Sequence, residues 1–443
     1  MYHTISGNRF LTIHSRISFH TSSGPPKSPR RDRGRRTRGE MSRGKRRAEC
    51  MQGVDVGGIA TGEPAPPSKR RKPSDAGLAP ASLEFTRFDC GQAERHVAKA
   101  IRIVADAKRV HHCAENTAHY QEVLAAARRG VEALRDARAR GVSFNARRAG
   151  SRATAIMTAS SGGDANAVKN LIAVGTALDL QNSKGLTALT CAARDGHAAV
   201  VTVLIGAGAA LDLPRTDGYT AIMFAAYFGR LAIVTALVGA GAALDLQTED
   251  GCTALIHAAC YGHTTIVTAL IGAGAALDLR QRRAGLTALT CAVRYGHAAV
   301  VTVLIGAGAA LDLPDTDGDT AITFAAYFGH PAIVTALIGA GAALDLQTED
   351  GYTALMHAAC YGHTTIATAL IGAGAALDLR QHRAGFTALM FAARCGHAAI
   401  ATALVAAGAD LGLTMDGMTA LQIARMRKKH EVATILEQAQ DML

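Results

Sequence analysis

From Ala155 onward the apolar positions come in two short bursts separated by glycine, followed by a polar tip, and the figure returns about every thirty-three residues. In Gly251 to Leu279, GCTALIHAACYGHTTIVTALIGAGAALDL, the first burst runs from Ala254 to Cys260, about two helical turns. Thr253 stands where Ser or Thr caps a helix N-terminus, and Gly262 where a left-handed residue ends one. The second burst starts near Thr264, presents Ile266, Val267, Leu270 and Ile271 at helical spacing, and ends at Gly274. Each unit is therefore predicted as two antiparallel helices. Asp-Gly pairs at Asp217-Gly218, Asp250-Gly251, Asp317-Gly318, Asp350-Gly351 and Asp416-Gly417 predict β-hairpin tips between units.

The units are anchored by Thr154, Thr187, Thr220, Thr253, Thr287, Thr320, Thr353, Thr387 and Thr419. Spacings are 33 except for 34 before Thr287 and Thr387 and 32 before Thr419. Three units make 33 + 33 + 34 = 100 residues, and that triplet is itself repeated: Gly185 to Ala284 differs from Gly285 to Ala384 at 12 of 100 positions. A unit this short has too little apolar surface to fold alone and must bury a shared core against its neighbours, so the chain is expected to be a solenoid.

The recurring G-x-T-A-L-x-x-A-A-x-x-G-H, followed by an apolar helix and G-A-x-L-D-L, resembles the ankyrin repeat. The resemblance implies an all-α solenoid of stacked helix-turn-helix units with hairpin tips. We assign residues 92–150 to an N-terminal helical cap with a degenerate ankyrin-like unit, 151–413 to eight ankyrin-like repeats and 414–443 to a C-terminal capping repeat. In the first cap Val97, Ile101 and Val104, then Tyr120, Leu124, Ala127, Val131 and Leu134, form two helical stripes, and Asn145 falls where Asp179 lies one repeat later. Arg425, Arg427, Lys428, Lys429, Glu431 and Glu437 make the last unit polar, as a terminal repeat requires.

The chain departs from the family's T-P-L-H. Ala replaces Pro at Ala155, Ala188, Ala221, Ala254 and Ala288, and the His place holds Met157, Thr190, Met223, Ile256, Thr290, Thr323, Met356, Met390 and Gln422. Because that histidine hydrogen-bonds neighbouring backbone in the family, polar contacts between units are expected to be fewer here. Gly206, Gly239, Gly272, Gly306, Gly339 and Gly372 in the second helices each cost up to about 1 kcal/mol relative to Ala, so each unit is expected to be modestly stable.

Charge divides the chain. Residues 1–150 hold 30 Lys/Arg against 14 Asp/Glu, or +16, so with a net charge of +11 the remainder carries 11 − 16 = −5. Residues 1–91, rich in Arg, Ser, Gly and Pro without apolar period, read as a disordered basic tail. Its cluster Lys69, Arg70, Arg71, Lys72, between Pro67 and Pro73, has the form of a nuclear-import signal. The tail is also the one place suited to nucleic acid, through phosphate contacts. Up to Arg31 it has no acidic residue, the composition of a mitochondrial transit segment, and Met41 offers an alternative start. Nine scattered cysteines with no Cys-x-x-Cys read as reduced thiols, which with the basic cluster points to the cytoplasm or nucleus. The uncharged run Cys252 to Leu277 is long enough to span a bilayer, but histidines and glycines punctuate it at the repeat period, and no membrane span is predicted.

Chemistry is not expected. His257, Cys260 and His263 suggest zinc, but His263 follows the helix-ending Gly262 and a fourth ligand is missing. Ile205 to Leu211, IGAGAAL, lacks the third glycine of a dinucleotide fingerprint and closes a helix instead of opening one. Every candidate nucleophile is a repeated position, whereas a catalytic site needs one unrepeated constellation. No cofactor or metal is expected, and the chain is read as a non-catalytic monomer that binds a protein. The resemblance implies a concave partner-binding face made of tips and first helices. Its variable positions, just before the anchor Thr and just before the helix-closing Gly, hold Tyr219, Tyr227, Phe228, Tyr261, Arg294, Tyr295, Tyr327, Phe328, Tyr352, Tyr361 and Phe386. Aromatic side chains supply large contact area at low entropic cost, although Phe228 and Phe328 could equally pack between units. The tips add alternating charge, from Glu249 and Asp250 through Arg280, Arg282 and Arg283 to Asp315, Asp317 and Asp319, then Glu349 and Asp350, then Arg380 and Arg383.

Overall fold

The computed structural model describes residues 116 to 442. The tail, its Lys69–Lys72 cluster and the first stripe of the N-terminal cap lie outside the described residues. The described chain opens on a helix that runs to residue 129, followed by Val131–Ala139. Helix pairs then succeed one another without a break. First helices are Ala155–Ser161, Ala188–Asp195, Ala221–Tyr227, Ala254–Cys260, Ala288–Arg294, Ala321–Phe328, Ala354–Tyr361, Ala388–Cys395 and Ala420–Met426. Second helices are Ala165–Ala173, Ala198–Gly206, Leu231–Gly239, Thr264–Gly272, Ala298–Gly306, Pro331–Gly339, Thr364–Gly372, Ala398–Ala406 and His430–Asp441.

Local chemistry sets these boundaries. Each anchor threonine is extended and stands at the N-cap of the helix that follows, and at Thr187 the cap is reciprocal: Thr187 Oγ1 accepts the Thr190 N–H at 3.2 Å, while Thr190 Oγ1 accepts the Thr187 N–H at 2.7 Å. At Thr154 and Thr220 the thioethers of Met157 and Met223 accept the threonine N–H at 3.4 and 3.5 Å, and at Thr419 the Gln422 amide oxygen does so at 2.8 Å. Threonine, methionine and glutamine thus satisfy the donor at the place where the family carries histidine. Helix ends are set by glycines at positive φ, such as Gly262 at 71°.

Side chains from both helices meet their counterparts in the next unit. First helices pack on first helices, second on second, and every substantial helix contact is within a unit or to its neighbour. Ile266, Val267 and Leu270 of one second helix are fully buried, as are Ile366, Ala367 and Leu370 three units on. The core is therefore a continuous strip, as stacking of subcritical units requires.

Among the described residues one tip is a two-stranded ladder. Asp416 and Gly417 both take positive φ, 47° and 76°, forming the primed two-residue turn that matches strand twist, and Thr414–Met415 pairs with Met418–Thr419. The other tips are tight turns without paired strands among the described residues, a correction to the expected hairpins. At Thr248 to Cys252 the Thr248 N–H donates to the Cys252 carbonyl at 3.0 Å and the Gly251 N–H to the Thr248 carbonyl at 2.8 Å. Gly251 alone is left-handed there, so one extra residue bulges the loop and ends the pairing.

Polar ties between units are abundant, contrary to the expectation drawn from the missing histidine. The aspartate of each L-D-L accepts a backbone N–H one unit on: Asp179 from Ala210 at 2.9 Å, Asp245 from Ala276 at 2.9 Å, Asp345 from Ala376 at 2.8 Å, with Asn145 taking the same role toward Ala177 at 3.1 Å. Histidines of the Gly-His pairs reach back: His197 Nε2 lies 2.9 Å from the Ser161 carbonyl, His263 3.2 Å from that of Tyr227, and His297 3.0 Å and His397 3.3 Å from those of Cys260 and Cys360. Tips are joined by single backbone bonds, Glu249 N–H to Asp217 carbonyl at 3.0 Å and Arg282 N–H to Asp250 carbonyl at 2.9 Å. A Cβ on Gly218 would lie 2.8 Å from Thr248 Cα, so glycine is required there for spacing as well as for its φ of 87°.

Candidate functional site

The variable positions separate into two sets. Residues just before the anchor Thr turn inward, because the extended threonine sends the preceding side chain beneath the tip. Tyr352 and Phe386 are each 6% exposed, and Leu186, Leu286 and Asp319 at the same place are also buried. The Tyr352 ring stacks on His357 at 5.0 Å and the Phe386 ring on Phe391 at 4.9 Å. Tyr219 is half-buried, with Phe224 at 5.2 Å, His257 of the next unit at 5.0 Å and the Arg215 guanidinium at 5.3 Å. Tyr352 and Phe386 are thus buried packing residues and not the surface expected of them, whereas Tyr219 packs on its neighbours and keeps part of its surface open.

The pair before the helix-closing glycine points outward. Phe228, Phe328, Tyr361 and Tyr295 are exposed, at 36, 39, 40 and 44%, and Tyr227, Tyr261, Tyr327 and Arg294 are half-buried beside them. Phe228 and Phe328 are surface residues accordingly. The rings run from unit to unit: Tyr227 lies 4.8 Å from Phe228 and 4.5 Å from Tyr261, and Tyr327 lies 4.9 Å from both Phe328 and Tyr361. These distances suit edge-on and tilted aromatic packing, which holds the rings in fixed orientation. Burial pushes the Tyr261 phenol up, with a hydrogen bond to Tyr227 adding to it, so that ring is neutral at physiological pH.

Arginines sit on the same ridge. The Arg294 guanidinium lies 6.0 Å over the Phe324 ring and that of Arg394 5.4 Å over Phe386. Asp195 is the ridge carboxylate of the first triplet; burial raises its pKa, but hydrogen bonds from Arg194 at 2.7 Å and from Ser161 outweigh this and hold it below the usual carboxylate value. The sequence named the aromatic residues and Arg294 but missed Arg230 and Arg394; Arg394 repeats the place of Arg194 and Arg294, and that recurrence was the signal, whereas Arg230 stands once at a place otherwise held mostly by histidine.

The other motifs do not assemble a reactive centre. His257 is buried against Tyr219 and Tyr227, whereas the His263 ring faces the Tyr227 carbonyl, so the two imidazoles of H-x-x-C-x-x-H serve different junctions. Burial pushes the Cys191 thiol up to about 11 and the Cys252 thiol to about 12, leaving both protonated at neutral pH. Asp315, Asp317 and Asp319 bring their carboxylates within 4.8 Å of one another at one tip, and Asp315 accepts the N–H groups of Asp317 and Asp319, both at 2.8 Å. No described helix is long and apolar enough to cross a membrane.

Stacked helix pairs bound by unit-to-unit aspartate ties define a class of helical repeat solenoid. The family model for ankyrin repeats matches residues 123–217, 155–248, 222–315, 300–381 and 369–442, which together run from 123 to 442. The chain belongs to the ankyrin repeat family, whose members are generally protein-interaction modules. The curated proteins contain no match to it.

Proposed function

We propose that the chain is a non-catalytic scaffold that holds a protein partner against the face formed by its first helices. The observation that carries this reading is the ridge of Phe228, Tyr295, Phe328 and Tyr361, four large rings open to water at four of five consecutive first-helix ends. Exposed aromatic groups in a fixed, self-supported row lose little entropy when covered, the property that makes such residues binding hot spots. Free thiols among the described residues suit a reduced compartment, the cytoplasm or nucleus. Changing Phe228, Tyr295, Phe328 and Tyr361 together to Ala should abolish capture of protein partners from lysate while far-UV circular dichroism stays unchanged. Undiminished capture by a folded variant would refute the reading.

A further inference from the structure

The tip and ridge arginines differ in how they are neutralised. At the tips Arg283 and Arg383 lie 3.3 Å from Asp250 and Asp350, and Arg215 is paired with Asp217. On the ridge Arg230, Arg294 and Arg394 have no carboxylate partner among the described residues, and from Gly196 to His430 the ridge positions carry no Asp or Glu. The Gly-His imidazoles lie along the same line. One face of the solenoid is therefore aromatic and uncompensated in positive charge, whereas at the tips part of the arginine charge is paired with aspartate.

The second observation is that this surface is built twice. Tyr227, Phe228 and Tyr261 followed by Arg294 recur as Tyr327, Phe328 and Tyr361 followed by Arg394, and the ring separations agree to within about half an ångström, 4.5 and 4.8 Å against 4.9 and 4.9 Å. Each copy has an apolar three-ring cluster with a guanidinium a unit further on, and the first adds Arg230 beside its rings where the second carries His330. Across Ala321 to His363 the first-helix ends carry no Lys or Arg at all. That spacing of cations is too sparse to follow a nucleic-acid backbone, which presents a phosphate at every residue, but it suits a peptide with one or two carboxylates beside an apolar anchor.

We infer that the ridge holds two equivalent subsites, each taking a short acidic peptide segment whose apolar or aromatic residue enters the ring cluster and whose carboxylate meets Arg294 in one copy and Arg394 in the other. The natural occupant is a protein with two such segments, since linking them makes the second binding event intramolecular. The inference rests on the reading of the face given above and adds the chemistry and number of the segments.

The test is to pan a phage-displayed random dodecapeptide library against the full chain and titrate the best synthetic peptide by calorimetry. The pool should be enriched in Asp and Glu next to Leu, Phe or Trp, with two peptides bound per chain. Phe328→Ala with Tyr361→Ala should reduce this to one. Arg294→Glu with Arg394→Glu should weaken binding at least tenfold without loss of helical signal, and added salt should weaken the wild type. Peptides that lose binding in the ring variants, yet show no acidic enrichment, bind one per chain or ignore the arginine reversals, overturn this inference and leave the scaffold reading intact. Peptides indifferent to the rings, or a library yielding no binder, count against both. Oligothymidylate competing for the same arginines would replace the peptide by a nucleic acid.

Discussion

The two triplets, residues 185–284 and 285–384, share 88 of 100 positions yet surround the same buried imidazole differently. In the first, the ring against His257 comes from the preceding tip, Tyr219, with Arg215 over it and the small Cys252 alongside. In the second, that tip carries Asp319, 3.9 Å from His357, and the stacking ring is Tyr352 of the histidine's own unit. Where the first has Tyr and Cys, the second has Asp and Tyr. Each imidazole has one tyrosine stacked at 5.0 Å, and that volume has moved across the unit boundary instead of being added. A duplicated backbone can thus exchange its junction chemistry provided the filling of each junction is kept.

The largest expected effect comes from breaking that balance. Cys252→Tyr places a second ring where Tyr219 already stacks on His257, and overpacking of this kind costs about 1–3 kcal/mol. Adding Tyr219→Asp recreates the second triplet's arrangement and should recover most of the loss. Urea midpoints followed by circular dichroism give the coupling through a double-mutant cycle. Additive losses would show that the two positions do not share one site.

Most of the helical plan was legible because it is local. Thr253, Gly262 and the Ile266 to Ile271 stripe fix their boundaries through bonds only a few residues long, and these recur in every unit. The direction of the variable positions was less so. Tyr352 and Tyr361 look equivalent as letters, but the extended Thr353 sends the first inward while the helix end turns the second out. The clue was that Leu186, Leu286 and Phe386 share the inward place, an apolar habit that a solvent-facing position has no reason to keep. The ties between units do not depend on the family histidine that this chain lacks. Asp179, Asp212, Asp245 and Asp278, present at the same place unit after unit, were the visible sign of a bond to the next module.

A smaller effect tests whether the two copies are equal in their backbone. Gly206, Gly239 and Gly272 in one triplet and Gly306, Gly339 and Gly372 in the other end second helices with no left-handed φ, and a Cβ on any of them would meet nothing within 4 Å. Each Gly→Ala should stabilise its helix by about 0.5–1 kcal/mol, through lower unfolded-state entropy and higher helix propensity. Three such changes in either triplet should raise the urea midpoint alike. A gain confined to one triplet would mean that the other is held by something besides its helices.

The smallest effect separates the triplets by pH. Arg230 of the first is His330 in the second. Burial pulls the His330 pKa below 6.5; a bond to the Arg294 carbonyl opposes this, and the neighbouring His363 and His297 add to the lowering. With the folded value below the unfolded one, the unfolded chain binds more protons in the acid range, so stability is complete above about 6.5 and declines as pH falls below it. The ring is half-buried, which keeps the effect modest. Between pH 7.5 and 5.5, amide protection of Pro331–Gly339, corrected for intrinsic exchange, should therefore fall more than that of Leu231–Gly239. His330→Arg should remove the difference, because a guanidinium does not titrate in this window and the two junctions would then carry the same group. If the difference survives the substitution, the acid sensitivity does not arise from His330.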